Sequence, residues 1–167
     1  MLAADTLFTA HHDRVFRYLA RMIGRGDAAR DLTQEVFLRV TRAGVPAVPA
    51  DEQRAWLFHI ARNIALNHLR DGRRTEPATV EAAGAVPATQ ELAIALDRAL
   101  ASLADLDRDA FLLRESGLSY AEIAGACGLT VEAVRGRLFR AREQLRTALG
   151  HWVLIEEQRG LQLSRKR

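Results

Sequence analysis

The chain has 167 residues, of which 49% are hydrophobic and 27% charged. This globular balance supports one ordinary domain or two small ones and excludes a disordered chain. No run approaches the roughly 18 uninterrupted apolar residues of a membrane span, and the opening MLAADTLFTAHHDR lacks a signal layout, so no membrane insertion is expected and the cytoplasm is the expected location.

Cysteine usage narrows the chemistry further. Cys127 is alone, and His11, His12, His59, His68 and His151 show no metal-ligand spacing with it. A disulfide scaffold and a zinc fold are thereby excluded, and no metal and no cofactor are expected. The net charge of +3 is unevenly placed. Residues 1–75 carry 12 basic and 8 acidic side chains, residues 76–118 carry 3 and 8, and residues 119–167 carry 9 and 5, so two basic ends flank an acidic middle. Lys166 is the one lysine among 24 basic residues. Guanidinium groups suit bidentate contacts to phosphate and guanine, although a GC-rich genome accounts for the same bias.

Turn signals fall at Gly24 and Gly26, at 44–51 and at 75–89, and between them the apolar spacing is helical. Phe8, Val15, Leu19, Met22 and Ile23 predict the inward face of a first helix, and Leu32, Val36 and Val40 that of a second. A third is predicted from about residue 52 to 70, with Trp56, Leu57, Ile60 and Ile64 inward. Residues 75–89 hold two prolines and a glycine and no periodic apolar face, which predicts an extended, flexible linker. Beyond it Leu92, Leu96, Leu100 and Leu103 form a helical stripe, and a short helix is predicted over 110–115, stopping at Gly117.

The next segment predicts a helix-turn-helix. Ser119 with Glu122 three residues on forms a capping box for a short helix through Ile123 and Ala124. Gly128 and Leu129 make the turn, Thr130 caps again, and a longer helix begins at Val131. No strand pattern appears, so the predicted fold is all-α, two small helical domains joined by the linker.

Three outer faces carry candidate chemistry. On the last helix Val134, Leu138, Ala141 and Leu145 point to the core, while Glu132, Arg135, Gly136, Phe139, Arg140 and Glu143 share the other side. Guanidinium forks beside an apolar ring suit base edges and phosphates in a major groove, the alternative being a solvated amphipathic helix with one stray aromatic, which the preceding helix-turn-helix disfavours. On the third helix Arg62, Asn63, Leu66, Asn67 and Arg70 face outward, a set able to hold exposed bases or duplex, though an ordinary solvated face fits the pattern as well. On the second helix Asp31, Gln34, Glu35 and Leu38 place a leucine among polar and acidic groups, which suits docking to a basic partner or, equally, an acidic solvated face.

The runs DAARDLTQEVFLRV (Asp27 to Val40), RAWLFHIARNIALNHLRDGRR (Arg54 to Arg74) and GLSYAEIAGACGLTVEAVRGRLFRARE (Gly117 to Glu143) together resemble bacterial RNA polymerase sigma factors of the extracytoplasmic-function class. The resemblance covers about residues 5–149 in the family's order. It implies a region 2-like domain over 1–74, a linker over 75–89, a region 4-like helix-turn-helix domain over 90–150 and an extension over 151–167. It also implies core RNA polymerase, promoter DNA and an anti-sigma factor as partners. Asp31, Gln34, Glu35 and Leu38 would dock on the polymerase's largest subunit. Arg62, Asn63, Asn67 and Arg70 would hold the minus-10 element, and Arg135, Gly136, Phe139 and Arg140 would read the minus-35 element.

Three features depart from the family. Asn67 stands where aspartate is usual, the loop 44–51 lacks a common aromatic, and Glu132, Ala133 and Gly136 replace a usual Gly-Thr pair and a serine. Glu132 near phosphate would repel it, so the minus-35 preference of relatives does not carry over to this chain. In the extension, Trp152, Leu154 and Ile155 predict a small apolar patch on a short helix, an inhibitory segment or a frayed tail. The chief rival reading is a stand-alone helix-turn-helix regulator with a dimerising or sensing N-terminal bundle, which gives no reason for the polar faces there. An enzyme is not expected, because no nucleophile with a base, carboxylate pair, phosphate-cradling loop or metal cluster appears.

Overall fold

A computed structural model of the chain describes residues 3–24, 26–72 and 88–164, with side chains described through residue 150 from residue 90 onward. Seven α-helices and no strand occur among the described residues. The first group comprises α1 (Ala3–Ile23), α2 (Asp27–Ala43) and α3 (Ala50–Gly72), and the second α4 (Ala88–Ser102), α5 (Asp105–Glu115), α6 (Tyr120–Cys127) and α7 (Val131–Ser164).

In the first group the spacing of Leu7, Val15, Leu19 and Met22 turns one stripe of α1 onto Val36, Phe37 and Val40 of α2 and onto Leu57, Ala61 and Ile64 of α3, all buried. Phe58 is fully buried and meets Tyr18 edge-on, with ring centroids 5.8 Å apart. Phe8 departs from the expected inward face. It is exposed and packs its ring edge against Phe37 and beside His12 near the start of α1. Trp56 and Ile60 are likewise half-buried, lying at the margin of the core.

The second group closes around Leu100, Leu103, Leu113, Leu118, Ile123, Val134 and Leu138, with α4, α5 and α6 each packed on α7. Its helix-turn-helix forms as expected. Ser119 Oγ accepts from the Glu122 amide (3.2 Å) and Glu122 Oε2 accepts from the Ser119 amide (2.5 Å), completing the capping box. Gly128 closes α6 at φ 65°, a left-handed conformation that costs a residue without Cβ little, and its amide donates to the Ala124 carbonyl. Thr130 Oγ1 then accepts from the Ala133 amide at 3.1 Å, capping α7.

Several extents differ from expectation. α5 begins at Asp105, five residues before the predicted start at 110, and α3 reaches from Ala50 to Gly72. α7 continues unbroken through Ser164, so residues 151–164 extend the recognition helix and do not form a separate short helix or a frayed tail. The apolar patch expected of Trp152, Leu154 and Ile155 lies outside the described side chains. Of the expected linker, residues 75–87 lie outside the described residues and 88–89 open α4. The two groups pack on each other, α1 against α5 and α3 against α6.

Candidate nucleic-acid and docking surfaces

The face of α7 is built by its own periodicity. Val134, Leu138 and Ala141 are fully buried, which leaves Glu132, Arg135, Phe139, Arg140 and Glu143 in solvent and Gly136 half-covered between them. Phe139 is 66% exposed, the highest exposure among the large hydrophobic side chains of the described residues. An aromatic ring in solvent beside two guanidinium groups has the chemistry to meet a thymine methyl in a major groove. Arg140 is not a free cation. Its Nε and Nη2 donate to the Asp107 carboxylate of α5 (3.2 and 3.3 Å), and Arg137 Nη1 donates to the same carboxylate at 2.9 Å.

The expected face of α3 divides. Asn67 and Arg70 are exposed, with Arg70 Nη2 donating to Asn67 Oδ1 at 2.8 Å. Asn63 is half-buried, its Nδ2 lying 3.0 Å from His59 Nε2. Arg62 and Leu66, expected to face outward, do not do so freely. Leu66 packs against the core. Arg62 turns toward the second group, where Nε donates to Asp109 Oδ2 at 2.6 Å and Nη1 donates to the Ala126 carbonyl at 3.1 Å. In that ion pair the side chains of Arg62 and Asp109 are 11% and 2% exposed.

Asp109 is the centre of the contact between groups. Tyr18 of α1 donates its hydroxyl to Asp109 Oδ1 at 2.9 Å, and Cys127 at the end of α6 places Sγ 3.8 Å from Oδ2. One buried carboxylate therefore joins α1, α3, α5 and α6. Burial opposes the Arg62 charge, and the Asp109 carboxylate outweighs it, holding the guanidinium above its ordinary range. Burial and then the same carboxylate push the Tyr18 hydroxyl well above its ordinary range and the Cys127 thiol up to about 11. A second tie runs from Arg54 Nη2 of α3 to Glu122 Oε1 of α6, at 3.5 Å.

On α2 the expected docking residues share one outer face. Asp31 and Gln34 are exposed, Glu35 pairs with Arg39 one turn on, and Leu38 is 55% exposed. The buried Ala29, Thr33, Val36 and Val40 occupy the opposite side.

Sequence reasoning missed Asp107, Asp109, Tyr18 and Arg137. The acidic excess of residues 76–118 was the available signal. With α5 expected only from 110, its first five residues, 105–109, belong to no predicted helix, and the carboxylates of Asp107 and Asp109 have no face assigned to them. No group of three or more His, Cys, Asp or Glu able to hold a metal ion occurs among the described residues, and no described helix is long and apolar enough to cross a membrane.

Comparison with known proteins gives two family matches, sigma-70 region 2 over residues 7–75 and sigma-70 region 4 over residues 93–145. The ECF RNA polymerase sigma factor SigE of Mycolicibacterium smegmatis is 37% identical over 157 residues, covering 87% of this chain, which spans 61% of that protein's length. RNA polymerase sigma factor CarQ of Myxococcus xanthus is 35% identical over 160 residues, covering 91% of this chain and 92% of its own. Among solved structures, CnrH in complex with the cytosolic domain of CnrY superposes with a TM-score of 0.66 at 30% identity, over 89% of this chain and 88% of that one.

Proposed function

The chain belongs to the extracytoplasmic-function class of RNA polymerase sigma factors, and we propose from that premise that it recruits core RNA polymerase to a small set of promoters, acting without catalysis of its own in the cytoplasm. The observation that carries this reading is the presence, in one chain, of three surfaces with complementary tasks. The α2 face sets an exposed leucine among polar and acidic groups, the α3 face offers amides and guanidinium groups, and the α7 face offers a major-groove reader on a helix-turn-helix. Stand-alone regulation is not favoured, because it uses only the third.

In this reading residues 1–74 form the polymerase-docking and minus-10 domain and residues 90–150 the minus-35 domain, joined through 75–89. Asp31, Gln34, Glu35 and Leu38 dock on core polymerase. Arg62, Asn63, Asn67 and Arg70 hold the minus-10 element, and Arg135, Gly136, Phe139 and Arg140 read the minus-35 element. Arg62 cannot contact DNA while it is bonded to Asp109 and Ala126. Promoter engagement therefore requires α3 to leave α5 and α6, a population shift for which polymerase and DNA supply the differential binding energy. The likeness to CnrH, solved in complex with the cytosolic domain of CnrY, supports a protein partner for this chain too, which in this reading is an anti-sigma factor that holds these surfaces out of reach.

Mixing the purified chain with core polymerase tests the reading. The expected result is a stable complex that binds promoter DNA in a sequence-dependent way, with the chain alone binding weakly. Tight, specific DNA binding by the chain alone, unaffected by core polymerase, would support the stand-alone regulator instead.

A further inference from the structure

Arg140 has five N–H donors, one on Nε and two on each terminal nitrogen. The edge formed by Nε and Nη2 is already taken by Asp107, whose two oxygens accept at 3.2 and 3.3 Å. Three donors remain, one on each terminal nitrogen along the outer Nη1–Nη2 edge and a second on Nη1 that points back toward Cδ. The side chain is 55% exposed and Asp107 5%, so the inner edge is fixed in protein and the outer edge faces solvent. Nη1 lies back over Gly136, one turn earlier on α7, where an added Cβ would stand 3.7 Å away. Asp107 is itself braced, since Arg137 Nη1 donates to its Oδ1 at 2.9 Å, and its place in the first turn of α5 suits a carboxylate at a helix N-terminus.

We propose that Asp107 is a positioning residue for promoter discrimination. It holds the Arg140 guanidinium in one plane so that the Nη1–Nη2 edge is presented to O6 and N7 of a guanine, with Arg137 bracing the carboxylate from the side. The proposal rests on Arg140 as a reader of the minus-35 element and adds what aims it. A free arginine on a helix surface loses rotamer freedom when it forks onto a base, whereas one held by a buried carboxylate has already lost it. Asp107 touches no DNA in this arrangement. Where the carboxylate charge is kept, its effect appears as selectivity at one base pair, and not as general affinity, because the net charge of the face is then unchanged.

The test uses holoenzyme assembled from the full chain and core polymerase, scored on a panel of single-base variants across the minus-35 region. Asp107→Asn keeps the shape but removes the charge-assisted fork, and Asp107→Glu keeps the charge and moves the carboxylate outward by one methylene. Helical content and melting temperature check the fold, and the glutamate variant serves if the asparagine variant does not fold. At the base pair that Arg140 reads, discrimination is expected to fall roughly tenfold in either variant, with binding to promoters already mismatched there unchanged in the glutamate variant and raised alike for all sequences in the asparagine variant, which loses a negative charge. Combining either substitution with Arg140→Ala is expected to add nothing further. If Arg140→Ala lowers discrimination at one position and the Asp107 variants do not, the positioning role is overturned while the reading of α7 stands. Should the Asp107 variants lower discrimination by the same factor in the Arg140→Ala background, the effect does not pass through Arg140, which also overturns it. If Arg140→Ala leaves every position unchanged, the reading of α7 fails and the proposal with it.

Discussion

Leu38 stands in water on α2 among Asp31, Gln34 and Glu35, and residues of this kind separate a binding role from a folding role most cleanly. Replacing Gln34 and Glu35 by alanine removes an exposed amide and a surface ion pair to Arg39. Such changes on a surface usually move stability by less than about 0.5 kcal/mol, so the melting temperature is expected to stay put while affinity for core polymerase falls in a binding titration. An unchanged affinity would take these residues out of the docking surface. On α3, Asn67 and Arg70 are open to a nucleic acid while Arg62 is tied to Asp109. Asn67→Ala is therefore expected to reduce strand opening, read as lower permanganate reactivity of minus-10 thymines in the presence of core polymerase. The residue pattern placed Asn67 and Arg70 outward but not the cover over Arg62 or the packing of Leu66. Helical spacing separates an inner from an outer side within one bundle, and it has no way to register that the outer side of α3 is covered at Arg62 by a carboxylate 47 residues away.

Among the elements, α6 is the one whose limits were legible from local chemistry. Its Ser119, Glu122 and Gly128 each satisfy a backbone group within a few residues, so the signal and the structure are the same interactions. Ser119→Ala is expected to cost about 1 kcal/mol, measured by denaturant unfolding, because the amide of Glu122 loses its acceptor. The start of α5 was illegible for the converse reason. Ala104 stands at its N-cap and makes no side-chain capping bond, leaving no polar residue there to mark the start. With the first five residues of α5 went Asp107 and Asp109, and with them the aiming of Arg140 and the closure of the two helix groups. The length of α7 was illegible too, since the family pattern ends near Gly150, a residue type that often closes a helix, whereas here the helix runs through it without a left-handed turn.

At the scale of the molecule, the contact through Asp109 ties the two groups together and occupies Arg62, which in the proposed function is needed for the minus-10 element. Removing the charge from one member of a buried pair leaves the other uncompensated. Asp109→Asn is therefore expected to open the contact, read as a larger radius of gyration in solution scattering, while each group keeps its own core. Cys127 reports on the same seam and is the chain's one cysteine. With its thiol held up to about 11, alkylation at pH 8 is expected to be slow in the free protein and to accelerate in holoenzyme on promoter DNA. An unchanged rate would mean that the contact persists on the promoter. The same shift has a stability consequence of definite sign. Both folded and unfolded chains hold the thiol proton below about pH 8.5, and only the folded chain holds it between there and about 11, so this contribution to stability is lost as pH rises through that window.

The claim that joins these scales is that the chain turns core RNA polymerase into a promoter-specific enzyme. Run-off transcription from genomic fragments, with core polymerase and with or without the chain, measures it directly by the sequencing of transcript ends. The account predicts start sites that depend on the chain and share two upstream motifs, one lost on substitution in α3 and the other on substitution in α7. A transcript pattern identical with and without the chain, alongside specific DNA binding by the chain alone, would contradict it.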